Sequence, residues 1–178
     1  MQMKSRRYLS HAALSLAVVM ACGAVGTAKA TATATGDLAV SATVTAHCTI
    51  DASAGLSFDE YDPIVANATA ALEKQGTINT TCTNGSDAVI TLGQGGHADT
   101  GSSADAPLRR MQSGTTDFLS YQLYQDAATT VWGDTPATGA TTTGTGAPVP
   151  VTVYGVVAPG QNVQEGSYTD TVTATVTF

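Results

Sequence analysis

The sequence predicts an all-β protein built as a sandwich of short strands. Two observations carry that reading. From Tyr168 to Phe178 the even positions read Tyr, Asp, Val, Ala, Val and Phe, while every odd position between them is threonine. Strict alternation of this kind gives a strand one buried and one wet face. The connectors, in turn, are rich in Gly, Thr, Asp and Pro, as at residues 93–106 and 133–148, which is turn and loop material.

Taken in order, the chain opens with a positive n-region of Lys4, Arg6 and Arg7 and an apolar stretch over residues 12–25. That stretch is too short to span a bilayer. Ala28-Lys29-Ala30 supplies a small-x-small cleavage pattern, so residues 1–30 read as a signal peptide. A lipoprotein box ending at Cys22 is the weaker reading, because Met20 fits it poorly and Cys22 lies inside the apolar stretch. Leu38, Val40, Ala42, Val44 and Ala46 alternate along the next segment. Ile78, Thr80 and Cys82 form a weaker repeat, and residues 88–92 a short apolar run. Leu119, Tyr121 and Leu123, then Val149, Val151 and Val153, alternate again. Only residues 64–75 have helical character, and Asn67 and Thr69 make a loop equally plausible there. Several short strands with such connectors, and one disulfide, describe a β-sandwich.

Cleavage after Ala30 removes Lys4, Arg6, Arg7 and Lys29 and one of three cysteines. Lys74, Arg109 and Arg110 then face all fourteen acidic residues, a net charge of −11. A chain so poor in cations has nothing with which to displace phosphate counterions, so nucleic acid is excluded as a partner. Attraction to an anionic membrane surface is disfavoured for the same reason, and no other segment is apolar enough to embed the chain in a bilayer. Cys48 and Cys82 remain, and an even count in an exported chain reads as a disulfide.

No nucleophile elbow, P-loop, zinc-protease helix or EF-hand loop occurs, so no catalytic residue, metal or cofactor is assigned and the protein reads as a non-enzyme. The acidic run Asp59-Glu60-Tyr61-Asp62 before Pro63 reads as a turn, residues 95–99 as a surface loop, and Trp132 as a packing residue. An outer-membrane barrel needs aromatic girdles and longer strands, and one Trp with three Phe cannot build them. A secreted β-sandwich binding module is the reading left open beside a structural subunit.

Several stretches, in order, carry a resemblance. They are Phe58-Asp59-Glu60-Tyr61-Asp62-Pro63, Thr81-Cys82-Thr83, Arg110-Met111, and Leu119-Ser120-Tyr121-Gln122-Leu123-Tyr124-Gln125-Asp126-Ala127. Val131-Trp132-Gly133-Asp134, Val151-Thr152-Val153-Tyr154-Gly155, and Gly166-Ser167-Tyr168-Thr169-Asp170-Thr171-Val172 onward to Phe178 complete them. Together they resemble the spore coat protein U family, which includes subunits of archaic chaperone–usher pili. The resemblance implies an immunoglobulin-like β-sandwich lacking its last strand. A periplasmic pilus chaperone fills the gap first. An outer-membrane usher and the N-terminal extension of another copy complete the assembly by donor-strand exchange.

On that implication residues 31–46 are the donor-strand extension and residues 47–178 the pilin domain. Leu38, Val40, Ala42 and Val44 are the polymerising residues, and Tyr168, Val172, Ala174, Val176 and Phe178 line a C-terminal strand bordering the groove and facing the core. The implied product is a head-to-tail polymer of copies of this chain, exported through the periplasm to the cell surface as a pilus or fimbrium supporting adhesion or biofilm formation. A spore or cell-surface coat assembled the same way is the runner-up. The chain is too short for a second receptor-binding domain, which points to a shaft or minor subunit.

Overall fold

The computed structural model describes residues 29–178, so the expected leader falls outside the described residues except for its last two positions. Residues 42–178 form one compact unit. Residues 29–47 carry no regular secondary structure and, throughout, are exposed. Among the described residues no helix is long and apolar enough to cross a membrane.

Eight strands make two sheets: β1 (Cys48–Asp51), β2 (Leu72–Cys82), β3 (Asp87–Leu92), β4 (Arg109–Ser113), β5 (Asp117–Tyr124), β6 (Ala140–Thr143), β7 (Val149–Val157) and β8 (Ala174–Thr177). The first sheet runs β1-β2-β7-β5-β4 and the second β6-β3-β8, every pair antiparallel. With β1, β2, β7 and β5 taken as A, B, E and D, and β3 and β8 as C and F, this is the immunoglobulin arrangement. The all-β sandwich expected from the sequence is therefore present. Ile78, Leu119, Leu123, Val153 and Val157 on the larger sheet face Ile90 and Leu92 on the smaller, with Trp132 fully buried between them.

Alternation predicts the faces well. On β2 the even residues point inward, ending in Ile78, Thr80 and Cys82, and on β7 the odd ones do. Gly76 and Gly155 lie on those inward faces, and a Cβ at Gly155 would stand 2.8 Å from Leu56 and Phe58 side-chain atoms. The paired notch lets the segment after β1 lie flat against the sheet.

Three expectations are corrected. Residues 64–75 are neither helix nor uniform loop: 63–67 turn, 68–70 bend, and Leu72 begins β2. Pairing of residues 72–75 with Val157, Val156, Gly155 and Tyr154 overrides the helical preference of Leu-Glu-Lys-Gln. The connector at 133–148 contains β6, which pairs with β3, and a 3-10 turn at Pro136–Thr138. At the C-terminus the threonines are exposed and Tyr168, Val172, Ala174 and Val176 half-buried, but the ladder shrinks to Ala174–Thr177 and Phe178 is 54% exposed rather than turned into the core. Phe178 instead makes an edge contact with His47, ring centroids 6.4 Å apart.

Cys48 and Cys82 are bridged and stand directly opposite each other in the β1–β2 ladder. The bridge ties the short first strand to the long second one, and Val176 of β8 packs against it. Unreduced protein is expected to show no alkylatable thiol at either cysteine under denaturing conditions. Cys82→Ser should lower unfolding stability by about 3–4 kcal/mol, read from denaturant midpoints; an unchanged midpoint would count against the bridge as a stabilising element.

Candidate functional site: an open cleft and its polar frame

A cleft of about 1030 Å³ opens between residues 52–63, which follow β1, and residues 163–174, which lead into β8. Core side chains form its floor: Leu72, Ile78, Leu92, Leu119, Leu123 and Val153 all line it. Beside it, β8 pairs with β3 along one edge only, and β1 pairs only with β2. The two strands approach each other without forming a ladder. In an immunoglobulin sandwich the last strand pairs with F, so its position coincides with the unpaired edge of β8. Among the described residues no strand occupies it. Unpaired strand edges beside an apolar floor form a template for another strand.

The first lip is built by turn chemistry. Asp62 Oδ1 accepts the backbone N–H groups of Ile64 (2.9 Å) and Val65 (3.0 Å), and these hold its carboxyl below the usual carboxylate range. Asn67, buried, accepts the Asp62 N–H through Oδ1 and donates to the Ala70 carbonyl. Tyr61 donates to the Ala158 carbonyl and accepts the Gln161 N–H, joining the lip to the end of β7. Lys74 pairs with Asp59 at 2.5 Å; both are exposed enough that the pair contributes little.

The second lip is held by a buried polar frame that the sequence did not announce. Asp170 accepts the Tyr121 hydroxyl (2.7 Å) and the Gly96 and Thr171 N–H groups (each 2.8 Å). Burial first, then the carboxylate it donates to, push the Tyr121 hydroxyl up, so it stays a donor at any physiological pH. Thr169 and Gln112 exchange backbone hydrogen bonds at 2.9 and 3.0 Å, an isolated bridge to β4.

Next to this frame Arg109 is 1% exposed. Its Nη2 donates to the Leu92 and Trp132 carbonyls, each at 2.7 Å, its Nε to the Gly93 carbonyl at 2.9 Å and its Nη1 to Gln122 Oε1 at 2.7 Å. Burial pulls the guanidinium down to about 10, opposed by the nearby Tyr121, Asp170 and Asp134, which leaves it charged at neutral pH. Period two on β4 puts Arg109 on the same side as Met111 and opposite Tyr121, and this is the signal that could have found it.

The expected donor residues are all exposed. Leu38 and Val40 are each 86% exposed and Val44 83%, with Ala42 exposed as well. Of the C-terminal set, Tyr168, Val172 and Ala174 line the cleft; Val176 and Phe178 do not.

A family model described as the Spore Coat Protein U domain matches residues 34–175. The chain belongs to the spore coat protein U family. Protein U of Myxococcus xanthus is 49% identical over 154 residues, covering 83% of this chain and 86% of that protein. Among solved structures, a chaperone–tip adhesion subunit pre-assembly complex from the archaic chaperone-usher Csu pili of Acinetobacter baumannii aligns at 19% identity with a TM-score of 0.46. It covers 76% of this chain, which spans 40% of that one.

Arg109→Met is expected to cost at least about 3 kcal/mol, because it strands three buried carbonyls as well as deleting a charge-assisted network. Tyr121→Phe should cost about 1–3 kcal/mol through the unpaired Asp170. Urea midpoints measure both, and an Arg109→Met midpoint within error of wild type would remove the frame from its structural role.

Proposed function

We propose that this protein is a structural subunit of a surface fibre, polymerising head to tail by donation of its N-terminal segment into the cleft of another copy. The observation that carries the reading is the coincidence of an unpaired β8 edge with an open, core-lined cleft at the last-strand position of the sandwich. The exposed alternating residues Leu38, Val40, Ala42 and Val44 support it from the donor side. The family match takes in the segment carrying them.

Insertion would turn Leu38, Val40 and Val44 from exposed to buried, contributing at most about 1.5–3 kcal/mol each, besides the new ladder hydrogen bonds. Such a contact is heterologous and does not close on itself, so it generates a fibre. Before assembly the cleft needs a cover, which is the part of a periplasmic chaperone, with an outer-membrane usher as the exit. Tyr168, Val172 and Ala174 then form the wall that the incoming strand meets, and β8 offers the edge it pairs with.

A second reading, a spore or cell-surface coat subunit assembled by the same exchange, is favoured by the match to the family described as the Spore Coat Protein U domain. Electron microscopy of the producing cells separates thin fibres from a continuous layer.

Wild-type protein co-produced with its chaperone and usher is expected to give ladders that survive detergent at room temperature and collapse to monomer on boiling. Val40→Asp should abolish the ladder, since a carboxylate driven into an apolar cleft must lose its hydration or take up a proton. A monodisperse wild-type monomer, with residues 38–44 paired inside its own sandwich, would sink the proposal.

A further inference from the structure

The strand-exchange reading leaves one exposed apolar feature without a role. Ile64 and Val65 are 75% and 77% exposed, two consecutive β-branched side chains held out to water. A mobile loop displaying them would need no account, but this turn is tightly built. Asp62 Oδ1 caps both of their N–H groups, the Asn67 N–H donates to the Asp62 carbonyl at 2.7 Å, and the Gly160 N–H donates to the Asn67 carbonyl at 2.8 Å. Side chains presented on such a base lose little further freedom when they meet a partner.

Their place in the fold says which partner fits. β2 leaves this turn at Leu72 and runs to Cys82, so the sandwich has two poles. One holds residues 62–71 and, through Asn67 and Gly160, the end of β7; the other holds the disulfide, His47 and Phe178. β8 runs toward the disulfide pole, because it pairs antiparallel to β3, which starts there. Every ladder in this protein is antiparallel, and antiparallel pairing is the slightly stronger mode. A strand added antiparallel to β8 therefore ends at the Ile64–Val65 pole. If the donated strand ends at Ala46, only His47 separates it from Cys48, the first residue of the donating copy's β1. The donor's disulfide pole must then sit against the acceptor's Ile64–Val65 turn. That pole displays Phe178, 54% exposed, against the exposed His47.

We propose that Ile64 and Val65 form a second, pole-to-pole contact between successive copies of this chain, packing against the disulfide pole of the copy whose strand fills the adjoining cleft. The contact rests on the strand-exchange reading and is continuous with it, since Tyr61 and Pro63, the residues just before the turn, line the cleft. Strand insertion joins the subunits; this contact fixes the angle between them, which a short connection alone would leave free.

The test places a photoreactive phenylalanine analogue at position 65 of the full chain, co-produced with its chaperone and usher, and irradiates the intact fibres. Adducts of two copies that survive boiling, and that map to His47 or to Phe178, are the expected result. A detergent-resistant ladder without such adducts, or adducts to the same chain, to lipid or to an unrelated protein, overturns the contact while leaving strand exchange standing. Absence of any ladder from the unmodified chain removes both. In a second arm, Ile64→Ser/Val65→Ser should retain the room-temperature ladder while bend angles between neighbouring subunits broaden in micrographs; an unchanged bend distribution also overturns the contact.

Discussion

A single guanidinium reaches across the sandwich and sets what the remainder can do. Arg109 starts on β4 in the larger sheet, and three of its four acceptors are main-chain carbonyls at the end of β3 and beside Trp132. Carbonyls at the end of a strand need donors if they are to be buried. Here one cation supplies them, and Gln122, which also accepts from it, passes a bond to the Pro107 carbonyl. The charge lacks a carboxylate in direct contact, so its desolvation is offset by multiple short bonds to dipoles and by more distant acidic groups. Arrangements of this kind tolerate little movement, because any shift leaves several groups unpaired at once.

The frame compensates for the open side of the fold. A sandwich with a cleft cannot hold its walls by burial alone, since the side chains that would grip them from within are the cleft's floor. Each wall is instead held from behind by polar contacts: the Asp62–Asn67 turn and Tyr61 on one side, Asp170 and the Gln112–Thr169 bridge on the other. Glycine contributes where the backbone must come close. At Gly95 a Cβ would overlap the Asp170 carboxylate, and its φ of +86° lies where other residues are strained.

Periodicity made much of this visible. The faces of β2, β5 and β7 and the buried half of the C-terminal segment follow directly from alternation, as does the cysteine pair from its count. The remainder was hidden for specific reasons. β6 reads Ala-Thr-Thr-Thr, which has no apolar alternation; it becomes a strand because β3 offers it a ladder. β1 is four residues long, too short for a pattern. Residues 72–75 look helical until their partner on β7 is known. Arg109 is the sharpest case. It stands beside Arg110 in the sequence, yet the neighbour lies over the Phe118 ring and bonds to Asp99, while Arg109 turns into the core. Only the strand register distinguishes them.

The same use of cations shapes the outside. Past residue 30 the chain has three positive side chains, and each is engaged: Arg109 in the core, Arg110 with Asp99, Lys74 with Asp59. Within residues 31–178, then, no positive side chain is left over to cross-link neighbours by charge. A filament repeating this surface would behave as a polyanion with a counterion sheath. Side-by-side approach would be opposed at low ionic strength over a Debye length of about 10 Å at 0.1 M salt, and eased by added salt or divalent cations. Individual filaments would then stay dispersed in dilute water and gather where ions are plentiful, giving the surrounding medium control over how densely they mat.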